Sequence, residues 1–335
     1  MNRGNVALFV PHVGCPCRCS FCNQRAITGG GNAPTPEQVW AAAKAAADHL
    51  GEQTAQTEIA FFGGSFTAIP REYMLSLLKP AKEAVERWGF HGVRCSTRPD
   101  AVDQEVLSLL KEHHATAVEL GAQSMDEEVL RKNRRGHTGE DTRRAARLVK
   151  EAGLELGLQM MTGLYGSTPE QDLETARQLI ALEPDTARIY PTVVLEGTEL
   201  AQLYWEGLYR PQTLEEAVEL CGDLLPLFEN AGVRVIRVGL HAQEDVERRK
   251  VAGPYHPAFG ELAESRAFLK RLLPQLEQGG PGAYQVKVNP RSLSVAVGQK
   301  RANVETLGRL GYTVKFVPEE QVPRGGFVLE TAEIK

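Results

Sequence analysis

The sequence predicts an α/β protein, namely a partial (β/α)6 barrel of the TIM type followed by a small mixed α/β appendage. Two observations support this fold class. Six apolar, β-branched segments alternate with helix-length amphipathic segments, which is typical of right-handed βαβ units in a parallel sheet. The unusual polar and glycine-rich segments follow the carboxyl ends of successive strands, where barrel enzymes collect their chemistry. A doubly wound sheet is the alternative, and the second observation favours the barrel.

The predicted strands are short apolar runs bounded by glycine, proline or polar residues. They are Val6–Val10, Glu58–Phe62, Gly92–Ser96, Ala117–Gly121, Leu154–Met161 and Thr186–Leu195. The helices predicted between them repeat apolar residues at helical spacing, and a proline stands near the start of the first. They are Thr35–Leu50, Pro70–Trp88, Asp103–Glu112, Gly139–Ala152 and Thr168–Leu182.

After residue 195 the pattern is less regular. A helix is predicted over Thr213–Asn230, a strand over Val233–Leu240 and a further helix over Arg301–Leu310. Short strands are predicted around that last helix. They are Ala283–Val288, Leu293–Val297, Tyr312–Val317 and Phe327–Leu329. The chain is therefore expected to divide into a partial barrel over residues 1–240 and a C-terminal extension with the appendage over residues 241–335.

The composition is that of a globular protein with reduced cysteines. The chain has 335 residues, of which 42% are hydrophobic and 24% charged, and this balance permits a large core. Because the sequence shows neither a signal-peptide pattern nor a membrane-spanning apolar run, we expect a cytoplasmic protein that does not enter a membrane. The cysteines concentrate in one loop, with only Cys95 and Cys221 elsewhere, and a secreted disulfide framework would spread them through the fold.

Two clusters of basic residues stand out against a formal net charge of −5, which argues against attraction of nucleic acid to the whole surface. The first cluster comprises residues 131–135 with Arg143, Arg144 and Arg147, and the second comprises Lys287, Arg291, Lys300 and Arg301. Each is either a phosphate-binding surface or a solvated face, and the sequence leaves both interpretations open.

A Cys-x3-Cys-x2-Cys motif, formed by Cys15, Cys19 and Cys22, follows the first predicted strand. Three thiolates at this spacing can hold one iron–sulfur cluster from a single loop. Since such clusters normally take four cysteine ligands, three leave one iron open to a small molecule. The alternative is a structural zinc knuckle with Cys17 or His12 as fourth ligand. Structural zinc sites usually pair two separated ligand couples, which disfavours that alternative.

Two further motifs end the second and third predicted strands. Gly63, Gly64 and Ser65 end the second, and the two glycines allow a ligand to approach the backbone, although a tight turn is the competing explanation. Arg98 ends the third, with Asp100 nearby. This arginine either anchors a carboxylate or belongs to a helix cap in which Asp100 is the acceptor.

The fourth predicted strand carries polar residues on one face. Glu119, Gly121 and Gln123 alternate with apolar neighbours, so they share a face. An inward-facing Glu or Gln in a barrel needs a partner, and a polar ligand would supply one. Residues 133–138, which include Arg135 and the candidate helix cap Thr138, form a basic turn or, alternatively, a solvated loop.

These motifs resemble the radical S-adenosylmethionine (radical SAM) enzymes and, among them, the catalytic subunit of the Elongator complex. The matching segments occur in the family's order over roughly the first two thirds of the chain. They are the three cysteines and the segments Phe62–Phe66, Ser96–Asp100, Glu119–Ser124, Arg135–Thr138, Ile189–Thr192 and Glu196–Thr198.

The resemblance implies a 4Fe-4S cluster held by Cys15, Cys19 and Cys22, whose open iron binds S-adenosylmethionine. An electron from a ferredoxin-like or flavodoxin-like reductant would cleave S-adenosylmethionine to methionine and a 5′-deoxyadenosyl radical, which abstracts hydrogen from a substrate. The contacts that the resemblance implies are Gly63, Gly64 and Ser65 with the methionine amine, and Gln123 and Arg135 with the ribose or carboxylate.

Two departures limit what the resemblance implies. Ser96 stands where the Elongator subunit usually carries a glutamate, so that contact is not carried over. We expect no acetyltransferase domain in residues 279–335, because the match to an acetyl-coenzyme-A loop at residues 297–301 is too short. A radical SAM enzyme acting on a tRNA base is the first hypothesis. A small-metabolite enzyme, like the coproporphyrinogen oxidases that the core also resembles, is the second, and a non-enzymatic zinc-binding protein is the third.

Overall fold

The computed structural model describes residues 4–10, 15, 19–23, 33–240 and 244–332. Within these ranges, seven parallel strands form one curled sheet, an open half-barrel. They are β1 (Gly4–Val10), β2 (Thr57–Gly63), β3 (Gly92–Thr97), β4 (Ala115–Gln123), β5 (Glu155–Thr162), β6 (Thr186–Pro191) and, after the short strand β7 (Val194–Leu195), β8 (Arg234–Val238). The predicted partial barrel is confirmed, and its seventh strand comes from the stretch 233–240 that the sequence marked as a strand.

Helices connect successive strands of this sheet, and most of them contribute to the core on its convex face. They are α1 (Pro36–Leu50), α2 (Arg71–Trp88), α3 (Gln104–Glu112), α4 (Glu127–Lys132), α5 (Gly139–Glu151), α6 (Pro169–Ile180), α7 (Glu199–Trp205) and α8 (Leu214–Asn230). Threonine caps begin α1, α5, α6 and α8, and in each the third helical residue returns a hydrogen bond to the cap. Such a cap contributes about 1 kcal/mol, and the predicted cap at Thr138 is one of them.

The apolar core lies between the sheet and these helices. In β4, Leu120 and Ala122 are buried in it, whereas Glu119 and Gln123 lie on the opposite, concave face. Full burial of a Leu or Phe side chain contributes about 1.5–3 kcal/mol, so the convex face supplies most of the stabilisation. The concave face is left free to carry polar groups.

A second, smaller unit follows the half-barrel. Its elements and the connection to it are α9 (Glu244–Arg249), β9 (Lys250–Ala252), α10 (Phe259–Gly279), β10 (Gly282–Val288), α11 (Leu293–Val297), α12 (Ala302–Arg309), β11 (Tyr312–Pro318) and β12 (Phe327–Thr331). Strand β10 is central, parallel to β11 and antiparallel to β12. Helix α10 gives Phe259 and Ala263 to the half-barrel core and Phe268 and Leu272 to the core of the small unit. The domain boundary after residue 240 stays a prediction.

Helices α4, α7, α9 and α10 were not predicted, and two predicted strands have a different structure. The run Thr186–Leu195, predicted as one strand, ends at Pro191, because Thr192 N and Oγ1 both donate to Thr162 O at 2.9 and 2.6 Å and turn the chain. Its last residues form β7, which pairs with β9. The run Leu293–Val297, predicted as a strand, is the helix α11. Burial of Ala296 in the small core outweighs the strand preference of the valines.

No helix in the described part of the chain combines the length and apolar character that crossing a bilayer requires.

Candidate active site

The end of β2 lies directly against the end of β1, from which the cysteine loop departs. Gly64 N donates to Val10 O at 2.9 Å. Gly63 has a φ of 108°, and a Cβ at this residue would lie 3.0 Å from Val10 O. Only glycine combines this left-handed backbone with so close an approach. The glycine pair therefore brings the backbone of β2 to the base of the cysteine loop.

Ser65 connects this edge to the next strand and to the loop. Its buried hydroxyl lies 2.8 Å from Thr97 Oγ1 and accepts a hydrogen bond from Arg98 N at 3.1 Å. Burial raises the pKa of the Cys15 thiol, against the opposing effects of a backbone hydrogen bond from Ser65 and the charges of Arg98 and Arg135. Cys15 therefore lies at the edge where β2 and β3 end.

Arg135 joins the cysteine loop to β4. Its Nη1 donates to Cys19 Sγ at 3.2 Å, and its Nη2 donates to Gly121 O at 2.5 Å. The residue is 6% exposed, and its Nε has no hydrogen-bond partner among the described residues. Arg135, predicted at the cofactor, is thus in contact with a predicted cluster ligand.

Asn133 fastens the cysteine loop, a role that the sequence analysis missed. Ser20 Oγ donates to Asn133 Oδ1 at 2.8 Å and Ser20 N to Asn133 O at 3.2 Å. Asn133 Nδ2 in turn donates to Val129 O and Tyr165 O at 2.8 and 2.9 Å. Asn133 is fully buried. In the sequence, Asn133 is a single amide among basic residues directly after α4. The charge of these neighbours favoured the interpretation as a solvated turn.

Gln123 ends β4 with a φ of 66°, where the register with β5 shifts. Its Oε1 is buried and has no hydrogen-bond partner in the described part of the chain. A buried amide oxygen without a partner costs about 1–3 kcal/mol, so this atom is suited to a ligand. Gln123 shares the wall of a cavity of about 630 Å³ with Gly63, Cys22 and Phe21, the residue beside Cys22. That volume is ordinary for a small-molecule site.

Deeper in the half-barrel, the concave face carries a buried charge network. Glu119 accepts hydrogen bonds from Arg188 Nε and Nη2 at 2.8 and 2.9 Å, from Gln159 Nε2 at 2.9 Å and from Arg94 Nη1 at 3.2 Å. Arg94 also donates to Glu58 at 2.7 Å. Burial alone would raise the pKa of Glu119, but the charges of Arg188 and Arg94 outweigh burial and hold that pKa below its usual range. Protein side chains therefore satisfy Glu119, and the expectation of a ligand as its partner is wrong.

Three more residues flank the site without entering the predicted cofactor contacts. Ser96, at the position of the family glutamate, is 8% exposed and accepts from Gln159 Nε2 at 3.3 Å. Arg98 forms a bidentate ion pair with Asp100, in which Nε and Nη2 donate at 2.8 and 2.7 Å. The carboxylate that Arg98 binds is therefore that of Asp100. Burial, together with nearby arginine charges, lowers the pKa of His137 to about 4, and this imidazole is neutral at pH 7.

The described ranges contain no group of three or more His, Cys, Asp or Glu side chains arranged to hold a metal ion. Cys17 and His12, the fourth ligands of the zinc alternative, lie outside the described residues. No disulfide joins the five cysteines that the structure describes.

Fold and site together define a half-barrel α/β enzyme whose candidate reaction centre lies at the carboxyl edge of the strands. The family model of the radical SAM superfamily matches residues 9–179, just over half of the chain. That of the radical SAM C-terminal domain matches residues 184–271. The chain therefore belongs to the radical SAM superfamily.

Several curated relatives carry names that refer to tRNA or to Elongator. The tRNA uridine(34) acetyltransferase of Methanocaldococcus jannaschii is 32% identical over 193 residues, 52% of this chain and 36% of that protein. The protein of the same name from Dehalococcoides mccartyi is 29% identical over 70% of this chain and 58% of its own length. Human Elongator complex protein 3 is 29% identical over 65% of this chain and 43% of its own length. The chain thus spans about a third to three fifths of these relatives.

Solved structures show the same architecture. The archaeal Elp3 of Methanocaldococcus infernus superposes with a TM-score of 0.63 at 25% identity, over 83% of this chain and 63% of that one. SuiB of Streptococcus suis has a TM-score of 0.52 at 13% identity, over 73% of this chain and 51% of that one, a likeness of fold alone. The predicted resemblance to radical SAM enzymes and to the Elongator subunit is confirmed.

Proposed function

We propose that this protein holds a 4Fe-4S cluster with Cys15, Cys19 and Cys22 and binds S-adenosylmethionine beside it. When bound and reduced by one electron, this pair supplies methionine and a 5′-deoxyadenosyl radical that takes a hydrogen atom from the substrate. Superfamily membership and the Cys-x3-Cys-x2-Cys spacing support this proposal, and both favour it over a zinc-binding role.

The observation that carries the proposal is the presence, beside the cysteine loop, of buried polar atoms without partners among the described residues. Gln123 Oε1 can accept a hydrogen bond and Arg135 Nε can donate one, while Nη1 of the same arginine reaches Cys19 Sγ at 3.2 Å. A ribose hydroxyl matches the amide oxygen, and a carboxylate matches the guanidinium. These donors and acceptors fit the polar groups of S-adenosylmethionine.

The segment Gly63–Ser65 is proposed to bind the methionine amine. The Ser65 hydroxyl is already engaged with Thr97 and Arg98, so it is the backbone of this segment that has contacts to offer. Glycine side chains leave that backbone accessible. The segment also contacts β1 at Val10, which keeps the amine site and the cysteine loop together.

For the substrate we propose a base of tRNA that enters the half-barrel cavity. The names of the relatives support this choice. The second candidate is a small metabolite in the same cavity, whose volume of about 630 Å³ is ordinary for a small-molecule site. The electron is proposed to come from a ferredoxin-like or flavodoxin-like protein in the cytoplasm, where thiols stay reduced.

The test is anaerobic purification with iron reconstitution, followed by dithionite reduction with S-adenosylmethionine and quantification of 5′-deoxyadenosine. We expect a brown protein that forms 5′-deoxyadenosine. Cys19→Ala should lose both properties, whereas Cys221→Ala, a change in the α8 core, should keep them. A colourless protein that retains zinc and forms no 5′-deoxyadenosine would refute the proposal. Deuterium transfer into 5′-deoxyadenosine from labelled tRNA, or instead from labelled metabolites of a cell extract, decides the substrate.

A further inference from the structure

The two basic clusters of the sequence have different surroundings in the structure. In the first, Arg131 and Lys132 both pair with Glu128, at 2.6 and 3.7 Å, and Arg134 pairs with Glu199 at 2.7 Å. On α5, Arg143 pairs with Glu140 at 3.5 Å and Arg144 with Asp141 at 3.1 Å, whereas the exposed Arg147 forms no ion pair with a described residue. Arg135 is buried at the cysteine loop. Carboxylates therefore neutralise the exposed cations of the first cluster except Arg147, and its attraction for phosphate is weak.

The second cluster has far less counter-charge. Arg291, Lys300 and Arg301 are exposed and form no ion pair with any described residue, while Lys287 pairs with Glu330 at 2.5 Å. Residues 282–332 contain seven Lys and Arg against four Glu, a formal charge of +3 in a chain of net charge −5. This unit thus carries a net positive charge within a chain whose net charge is negative, and it attracts polyanions.

The loop Gly298–Arg301, which presents two of these cations, is held rigidly between α11 and α12. Gly298 has a φ of 78°, and a Cβ there would lie 3.0 Å from Asn303 N. The buried Asn303 Nδ2 donates to Ser265 Oγ and Ala296 O, both at 3.0 Å, and so ties the two helices to α10. A loop fixed in this way loses little conformational entropy when it binds a ligand.

The order strand, helix, Gly-x-x-x loop, helix, strand is that of KH modules, whose Gly-x-x-Gly loop clamps the backbone of single-stranded RNA. Here the order is β10, α11, the loop Gly298–Arg301, α12 and β11, with β10 and β11 adjacent. Arg301 replaces the second glycine. Its φ of 66° is the left-handed conformation that glycine adopts readily, so the loop keeps its shape and gains a cation.

We propose that the loop Gly298–Arg301, with Arg291, binds the phosphate backbone of single-stranded RNA. Arg291 stands two residues before α11, a helix of five residues and about 7.5 Å, so its charge lies within a short distance of the loop that follows this helix. This inference rests on the proposed action on RNA and adds which surface holds the strand. Exposed Lys and Arg side chains that contact phosphate oxygens do not contact the base edges, which carry the sequence. We therefore expect this surface to bind RNA of any sequence.

The test measures binding of a fluorescein-labelled oligouridylate to the full chain by anisotropy over a range of salt concentrations. The variant Lys300→Asn/Arg301→Gly removes both charges and places residues that tolerate the left-handed backbone at both positions, where φ is 51° and 66°. Loss of two phosphate contacts is expected to reduce the salt slope, d log K/d log [salt], by about 1.4 in magnitude, or about 0.7 for each contact on a single strand. The control is Arg131→Ala/Arg134→Ala, which removes paired cations and is expected to leave the slope nearly unchanged.

An unchanged slope in the loop variant, an equal loss in the control, or equally tight binding of a fluorescein-labelled RNA duplex would overturn the inference. The proposed chemistry is judged separately, by 5′-deoxyadenosine formation without RNA, and the loop variant should match the wild type in that assay. If the loop binds oligouridylate but the enzyme forms no 5′-deoxyadenosine, the proposed radical reaction is rejected and the proposed RNA-binding surface is kept. The converse result rejects the RNA surface alone.

Discussion

The two ends of the half-barrel cavity satisfy their polar groups in opposite ways. In the interior, Glu119 takes four hydrogen bonds from arginine and glutamine side chains of β3, β5 and β6. At the carboxyl edge, Gln123 Oε1 and Arg135 Nε are buried without a partner among the described residues. The interior charges are therefore structural, whereas the edge holds polar atoms that a ligand can complete. Burial of polar groups does not by itself mark a site; here the mark is a group of buried polar atoms without partners among the described residues beside the cysteine loop.

The largest effect is expected from a change at the edge that leaves the fold intact. Cys22 is partly exposed and lines the cavity. Cys22→Ala is expected to reduce 5′-deoxyadenosine formation to background, because the loop loses a cluster ligand. The free energy of unfolding of the metal-free protein should change by less than about 0.5 kcal/mol, as for other substitutions outside the core. Activity assays and urea denaturation check the two halves of this prediction.

In the interior, we expect a substitution to affect mainly the stability of the fold. Glu119→Ala leaves two buried arginines without their shared carboxylate, and it is expected to destabilise the fold by about 3–5 kcal/mol. The measurement is urea denaturation of the metal-free chain, with Glu183→Ala at an exposed ion pair with Lys150 as control. The comparison fails if Glu119→Ala and Glu183→Ala leave the same stability.

Asp172 is a buried carboxyl that, unlike Glu58 and Glu119, has no arginine partner among the described residues, and it shows what burial does to a carboxyl without a cation beside it. Asp172 is 2% exposed and accepts hydrogen bonds from Ser167 Oγ at 2.5 Å and Gly163 N at 2.8 Å, both neutral donors. Burial raises its pKa from 3.8 to about 7. The folded state therefore holds the proton more tightly, and as the pH rises from about 4 to about 7 folding loses up to about 4 kcal/mol at this residue.

The pH dependence at Glu119 has the opposite sign. Because its folded pKa lies below the ordinary value of 4.5, its contribution is present above that pH and is lost as the pH falls. In the wild type, the free energy of unfolding should fall between pH 4 and pH 7 because of Asp172. In Asp172→Asn, measurements at several pH values should show no such fall. Parallel curves for Asp172→Asn and the wild type would show that Asp172 does not titrate in this range.

The smallest effect is expected at the orphaned amide. Gln123→Gly removes a side chain with an unpaired buried oxygen from a left-handed backbone position. The fold should gain up to about 1 kcal/mol, because the strain of a non-glycine residue at positive φ disappears. Binding of S-adenosylmethionine should weaken about tenfold, the equivalent of one good hydrogen bond. Isothermal titration of the reconstituted protein gives the affinity, and a tighter complex would contradict the assignment.

Local patterns in the sequence predicted much of this molecule. The strand and helix alternation and the cap at Thr138 depend on neighbours within a few residues, and the structure contains them. The partners of Glu119 could not be predicted, because Arg188 lies 69 residues away and only the assembled, curled sheet brings the two together. The anchoring of Ser20 by Asn133 spans 113 residues and has no local signature.

Two strand predictions were wrong because long-range contacts, which the local sequence does not show, decide the structure of these segments. Thr186–Leu195 has the composition of one long strand, but the hydrogen bonds of Thr192 to β5 divide it, and they exist only once the sheet has formed. Leu293–Val297 has strand-forming valines, yet the small core accepts it as a helix. In both segments tertiary contacts outweigh the intrinsic preference.

The most direct test of the central claim, that the carboxyl edge binds a cluster with an open iron beside S-adenosylmethionine, is electron paramagnetic resonance of the reduced, reconstituted protein. We predict the signal of one 4Fe-4S cluster per chain that changes when S-adenosylmethionine is added and changes less in Gln123→Gly at the same concentration. The absence of an iron–sulfur signal, or a signal that S-adenosylmethionine leaves unaltered at saturating concentration, would contradict the account.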